Sequence, residues 1–152
     1  MSDKGKAPVD YSEAIRDYSE AIGLDPTNPG AYITRGHGYS SKGLREEAAM
    51  DYSEAIRLDP TNSVAYMIRG YNYNSGGRYD EAIKDYTEAV RLEPNDADAY
   101  FKRGCIYRDK RDLERAIADF EKAVELDLDD RGFEETLDEA RAEYEAEHGN
   151  QF

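Results

Sequence analysis

Aromatic and small residues recur along this chain in two alternating phases. In the first, Tyr32, Gly36 and Tyr39 stand at i, i+4 and i+7, a spacing that places them on one face of a helix. The triplet returns as Tyr66, Gly70, Tyr73 and as Tyr100, Gly104, Tyr107. In the second phase, Ala48, Tyr52 and Ala55 form a stripe that is repeated by Ala82, Tyr86, Ala89 and by Ala116, Phe120, Ala123. Every copy lies 34 residues from the next, so DYSEAI at 17–22 reappears as DYSEAI at 51–56, DYTEAV at 85–90 and DFEKAV at 119–124. Small residues alternating with one large ring suit helices that interlock closely, and the glycine predicts a near approach by a neighbour.

Proline punctuates the pattern. Pro26, Pro60 and Pro94 follow the second-phase helices, which must stop nearby because proline cannot donate the helical hydrogen bond. Asn28, Asn62 and Asp96 then stand where the next helix needs an N-cap. Each unit reads as helix, turn, helix, turn, which predicts full repeats at 29–62, 63–96 and 97–130. Residues 10–28 supply only a second helix, a half repeat, and the polar residues 1–9 are expected to be extended or disordered. DYSEAI occurs a further time at 10–15, nearly two helical turns before the copy at 17–22, so this helix is amphipathic throughout. Residues 131–148 carry a single apolar stripe, Phe133, Leu137, Ala140 and Tyr144, among acids. They predict a capping helix for the face that the last repeat would otherwise expose.

The aromatic, glycine, tyrosine, alanine, aromatic, alanine, proline pattern at this spacing resembles the tetratricopeptide repeat. It departs from that family in having Arg35, Arg69 and Arg103 where leucine usually precedes the glycine, and Leu128 in place of the last proline. The resemblance implies an all-α fold, a right-handed α-α superhelix of about eight antiparallel helices. It also implies a non-catalytic scaffold or adaptor that binds a peptide or partner protein in a concave groove walled by the first helices. Mapped by this resemblance, the wall comprises Ile33, His37 and Ser40, then Met67, Tyr71 and Asn74, then Phe101, Cys105 and Arg108, with Lys102 beside Arg108. Ile33, Met67 and Phe101 would there form an exposed apolar strip. Some members of the family grip a C-terminal carboxylate through lysines and asparagines at the places held here by Ile33, His37, Tyr71, Phe101 and Cys105. This wall is better suited to apolar and aromatic side chains.

Charge narrows the partner. The chain of 152 residues carries 34 acidic against 20 basic side chains, a net charge of −14, which repels nucleic acid and anionic membrane surfaces. The basic residues Lys102, Arg103, Arg108, Lys110 and Arg111 cluster between 101 and 111, and Arg108 is a candidate receiver for an acidic side chain or chain end. The repeated arginines face an acid that also recurs in register, Asp17, Asp51, Asp85 and Asp119. These residues predict a structural ladder of ion pairs. Asp51 has a choice of Arg35 in its own repeat or Arg69 in the next, and Asp17, in a repeat without its first helix, favours pairing across repeats.

Catalytic constellations are not legible. His37 and Cys105 hold equivalent places two repeats apart, too far for a nucleophile and its base. His148 lies in the polar tail, no grouping has metal-ligand spacing, and no cofactor is expected. The lone cysteine and the polar N-terminus, which has no apolar leader, point to a reducing cytoplasm. The alternative reading is self-assembly, a homodimer through residues 10–23, whose apolar face lacks its first-helix partner.

Overall fold

In a computed structural model, residues 10–149 are described, and among them there are eight helices and no strand. The expectation for residues 1–9 lies outside the described part. The chain forms two compact units, divided between Pro60 and Thr61. The first contains α1 (Tyr11–Leu24), α2 (Pro29–Ser41) and α3 (Arg45–Leu58). The second contains α4 (Ser63–Ser75), α5 (Tyr79–Leu92), α6 (Ala97–Asp109), α7 (Leu113–Leu126) and α8 (Arg131–His148).

Local chemistry sets these boundaries. Asn28, Asn62 and Asp96 accept from the backbone N–H of Gly30, Ala65 and Ala99 respectively, and so satisfy donors that the first helical turn leaves unpaired. Asp10 and Asp130 cap α1 and α8 in the same way, through Ser12 and Gly132. The helices before Pro26, Pro60 and Pro94 end at Leu24, Leu58 and Leu92. Helix α7 ends at Leu126 although Leu128 replaces the proline, and the N–H of its C-cap Asp127 bonds to the Ala123 carbonyl. Between the paired helices the turn needs one left-handed residue. Gly43 and Gly77 supply it at φ 78° and 76°, and the third turn places Arg111 there at φ 61°.

Pairs α2/α3, α4/α5 and α6/α7 form helical hairpins, and within the units α1 packs on α2, α5 on α6 and α7 on α8. The hairpin cores repeat the two sequence phases. Ala48, Tyr52 and Ala55, Ala82, Tyr86 and Ala89, and Ala116, Phe120 and Ala123 are all 0–1% exposed. Each ring lies over the glycine of its partner helix. A Cβ added at Gly36 would stand 2.6 Å from the Tyr52 ring, and one at Gly104 2.7 Å from the Phe120 ring, so only a hydrogen fits there. Helix α8 closes the second unit by adding Leu137 and Ala140 to the core of Ala116 and Phe120.

Candidate functional site

The arginine of each first helix is held on three sides. Arg35 donates from Nε and Nη2 to both carboxylate oxygens of Asp51 at 2.8 and 2.7 Å. Arg69 and Arg103 make the same bidentate pair with Asp85 and Asp119, at the same distances. Tyrosines one turn before and after complete the setting, with Tyr32 and Tyr39 centroids 5.8 and 5.7 Å from the Arg35 guanidinium and Tyr66 and Tyr73 at 5.9 and 5.7 Å from that of Arg69. The hydrogen bonds that each arginine donates to its aspartate raise the arginine's pKa above its ordinary value, against the opposing effect of burial.

Pairing therefore runs within each hairpin, not across repeats as Asp17 suggests. In the second and third hairpins the aspartate stands beside the glycine, its Cβ 3.3 Å from a Cβ added at Gly70 and 3.2 Å from one added at Gly104. Asp17 is not a rung. It is exposed and its ion partner is the adjacent Arg16, at 3.3 Å. What reaches across repeats is the third nitrogen. Arg35 Nη1 donates to the Ser19 hydroxyl at 3.2 Å and Arg103 Nη1 to the Thr87 hydroxyl at 3.1 Å. Each hydroxyl spends its own hydrogen on the carbonyl four residues back, Ile15 or Ile83, which leaves a lone pair for the guanidinium. The sequence reading missed these hydroxyls, although Ser19, Ser53 and Thr87 follow each aspartate by two residues.

Within the first unit, the wall side of α2 holds His37, exposed, with Ile33 and Ser40 partly buried. The Tyr52 hydroxyl comes up beside them. It lies 3.5 Å from His37 Nδ1 and bonds with the Ser40 side chain. Burial nevertheless pushes the phenol up to about 12.

Within the second unit the expected apolar strip is closed. Met67 packs against the cores around Tyr86 and Ile106 and around Ala89 and Ala99. Phe101 lies with its ring centroid 4.6 Å from that of Phe133 on α8 and 5.5 Å from that of Phe120. Met67 sits where α4 meets α6 and Phe101 where α6 meets α8, so packing covers them. Cys105 is likewise partly buried against the α7–α8 core, which pushes its thiol up, away from a reactive thiolate. Tyr71 is instead the open aromatic of this wall, at 58% exposure, with Asn74 partly buried one turn on and Lys102 exposed on α6. Burial first, then the neighbouring Tyr71 and Cys105, hold the Tyr86 phenol well above its ordinary value.

Arg108 does not stand free to receive a ligand. Its Nε donates to Glu143 at 3.0 Å and its Nη1 to Glu139 at 3.1 Å, both on α8. The bond to Arg108 is the main cause that lowers the Glu143 carboxyl below its ordinary range. Arg111 pairs with Glu143 and Glu147, and Lys110 with Asp80. With Arg103 held by Asp119, most of the basic cluster is committed inside the unit. Among the described residues no group of three or more His, Cys, Asp or Glu could hold a metal ion, and no helix is long and apolar enough to cross a membrane.

Helical hairpins repeated at one interval, each locked by the same core and the same ion pair, define a helical-repeat protein. The sequence matches the profiles described as TPR repeat, over residues 70–107, and Tetratricopeptide repeat, over 29–62 and 97–130, together more than half of the chain. The chain belongs to the tetratricopeptide-repeat family. No curated protein matches it. Among solved structures it is similar to a crystal structure of MamA, with 27% identity and a TM-score of 0.83 over 89% of this chain and 79% of that one. MamA 41-end from Desulfovibrio magneticus RS-1 shares the fold, with 23% identity and a TM-score of 0.81 over 89% and 76%. The first TPR of Spaghetti (RPAP3), bound to HSP90 peptide SRMEEVD, is 25% identical, with a TM-score of 0.72 over 76% and 92%.

Proposed function

We propose that this chain is a non-catalytic protein-interaction scaffold that binds a peptide or partner protein on the wall formed by its first helices. The observation that carries this reading is Tyr71, a large aromatic held open to solvent on a rigid helix whose other face is locked into a hairpin core. Aromatic side chains presented in this way supply contact area at little entropic cost, which is why they anchor interfaces. In the second unit the contacts are Tyr71, Asn74 and Lys102, with the edges of Met67, Phe101 and Cys105 beneath. In the first unit they are His37 and Ser40 around the Tyr52 hydroxyl, with Ile33 at their edge. Support comes from the RPAP3 domain, whose similar architecture was solved with a short peptide bound.

The wall offers rings and hydrogen-bonding groups more than cations, since Arg108 is already neutralised by Glu139 and Glu143. An aromatic or apolar ligand segment with a few polar groups fits it better than a strongly acidic one. Selection from a random-peptide display library against the wild type and a Tyr71→Ser, Asn74→Ala variant tests this. Peptides enriched on the wild type alone support the wall as receptor. Equal enrichment on both proteins, or none on either, overturns it.

A further inference from the structure

Helix α1 is built as the second helix of a hairpin, and one of its faces is used. Ile15 packs where a Cβ on Gly38 would meet it at 2.9 Å, Ser19 accepts from Arg35, and Ser12 accepts from Lys42 at 2.7 Å. These contacts all belong to the face turned to α2. Ala14, Tyr18 and Ala21 lie on the adjoining face at i, i+4 and i+7, with Tyr11 on the same stripe. Thirty-four residues on, the same three positions are Ala48, Tyr52 and Ala55, and in every other hairpin they are 0–1% exposed. Helix α1 has no buried residue at all.

Three internal examples specify what covers such a face. Each is a helix with the pattern Tyr-x-x-Arg-Gly-x-x-Tyr: Tyr32, Arg35, Gly36, Tyr39, then Tyr66, Arg69, Gly70, Tyr73, then Tyr100, Arg103, Gly104, Tyr107. Its glycine takes the aromatic ring, and its arginine closes a bidentate pair on the aspartate that precedes that ring. In α1 the corresponding acid is Asp17, whose side chain is 60% exposed and which, among the described residues, has only the weak lateral contact to Arg16 at 3.3 Å.

We propose that α1 is the acceptor half of a repeat hairpin and docks, in trans, a helix of a partner protein that carries an Arg-Gly pair between two aromatics. The glycine sits over the Tyr18 ring and the guanidinium on Asp17. Charge selects this occupant. Asp10, Glu13, Asp17 and Glu20 against Arg16 make α1 acidic, which attracts a helix with an arginine and repels a second α1 bearing the same acids. The exposed side of α8, with Glu134, Glu135 and Asp138, is repelled in the same way. Residues 1–9, MSDKGKAPV, carry neither arginine nor aromatic and so do not match this helix.

The test uses the full chain and a fluorescent peptide that copies residues 61–78, which contain one such helix. Anisotropy titration is expected to show saturable binding. Asp17→Arg weakens it by about tenfold, as loss of a bidentate charge pair implies. The peptide with its Arg69→Asp change recovers affinity on the Asp17→Arg chain but not on the wild type. Asp17 is exposed, so its replacement leaves the fold intact. Absence of saturable binding, or equal affinity for wild type and Asp17→Arg, overturns the proposal. So does a wild-type dimer in sedimentation that dissociates on Tyr18→Ser, which assigns the face to a second copy.

Discussion

Arg103 on α6 and Asp119 on α7 meet as a bidentate pair, 2.8 Å from Nε to Oδ2 and 2.7 Å from Nη2 to Oδ1. The aspartate is 6% exposed, so its charge depends on the guanidinium. Arg103→Leu is expected to cost about 3 kcal/mol or more, because it strands a buried carboxylate. Adding Asp119→Ala restores most of that loss, since the uncompensated charge goes with it. Denaturant unfolding of the two single variants and the double variant completes the cycle. Strict additivity would show that the pair contributes nothing.

Gly36, Gly70 and Gly104 occupy one register but do not have equal room. An added Cβ would lie 2.6 Å from the Tyr52 ring at Gly36 and 2.7 Å from the Phe120 ring at Gly104. At Gly70 its nearest neighbours stand at 3.3 Å. Alanine gains about 1 kcal/mol of helix propensity over glycine, and overpacking a fixed ring costs about 1–3 kcal/mol. Gly36→Ala and Gly104→Ala are therefore expected to lower stability, and Gly70→Ala to be close to neutral. Thermal unfolding gives the ranking, and a destabilisation at Gly70 equal to that at Gly104 contradicts it.

The contrast between what could be read in the sequence and what could not follows one physical line. Repeat length, helix order, the caps at Asn28, Asn62 and Asp96 and the glycine–ring contacts are local or repeat by translation, so a 34-residue register reveals them. The fate of Phe101 and Arg108 depends on α8, which follows the last repeat and does not share its pattern. Phe133 takes the place beside Phe101, and Glu139 with Glu143 takes Arg108, and no register aligns those residues. Asp17 misleads for a related reason. It repeats the acid of the other rungs, but a rung needs the first helix of its own hairpin, as the Arg35–Asp51 pair makes plain. Met67 and Tyr71 share one face at i and i+4, so helical phase alone could not tell that Met67 packs against the following first helix while Tyr71 stays open.

Arg111 is the residue with positive φ other than glycine among those described, at the register position held by Gly43 and Gly77. A left-handed conformation costs an ordinary residue about 1–2 kcal/mol, whereas the exposed pairs of Arg111 with Glu143 and Glu147 return about 0–1 kcal/mol. Arg111→Gly should raise stability by about 0.5–1 kcal/mol. At the same time it loosens α8, visible as faster amide exchange across 131–148. A fall in stability would mean that the clamp on α8 outweighs the backbone strain.

Acid should release α8 before the hairpins open. The Glu143 carboxyl is lowered chiefly by its bond to Arg108, so its contribution is complete above the ordinary glutamate value of about 4.3. It fades as pH falls through the lower value of the folded state. Exchange at 131–148 is expected to accelerate over that range while α6 and α7 stay protected. Arg108→Gln removes the dependence, and an unchanged acid profile in that variant would remove Arg108 as its cause.

At the alkaline end the buried phenols set the limit, and Tyr52 separates most cleanly. Burial pushes its folded value to about 12, from an ordinary value of 10.0. The neutral phenol is the favoured form in the core, so its stabilisation is fully present below pH 10 and is lost as pH rises towards 12. Tyr52→Phe removes the ionisable group while keeping the ring that fills the space over Gly36. Phe120, fully buried in the corresponding place over Gly104, shows that a phenyl ring fits such a hairpin. The variant should therefore keep the stability of the first unit to higher pH, at the cost of the hydroxyl's contacts with His37 and Ser40. Unfolding followed from pH 9 to 12, together with the tyrosinate absorbance, measures both effects. If wild type and Tyr52→Phe lose stability in parallel through that window, the alkaline limit lies with other groups.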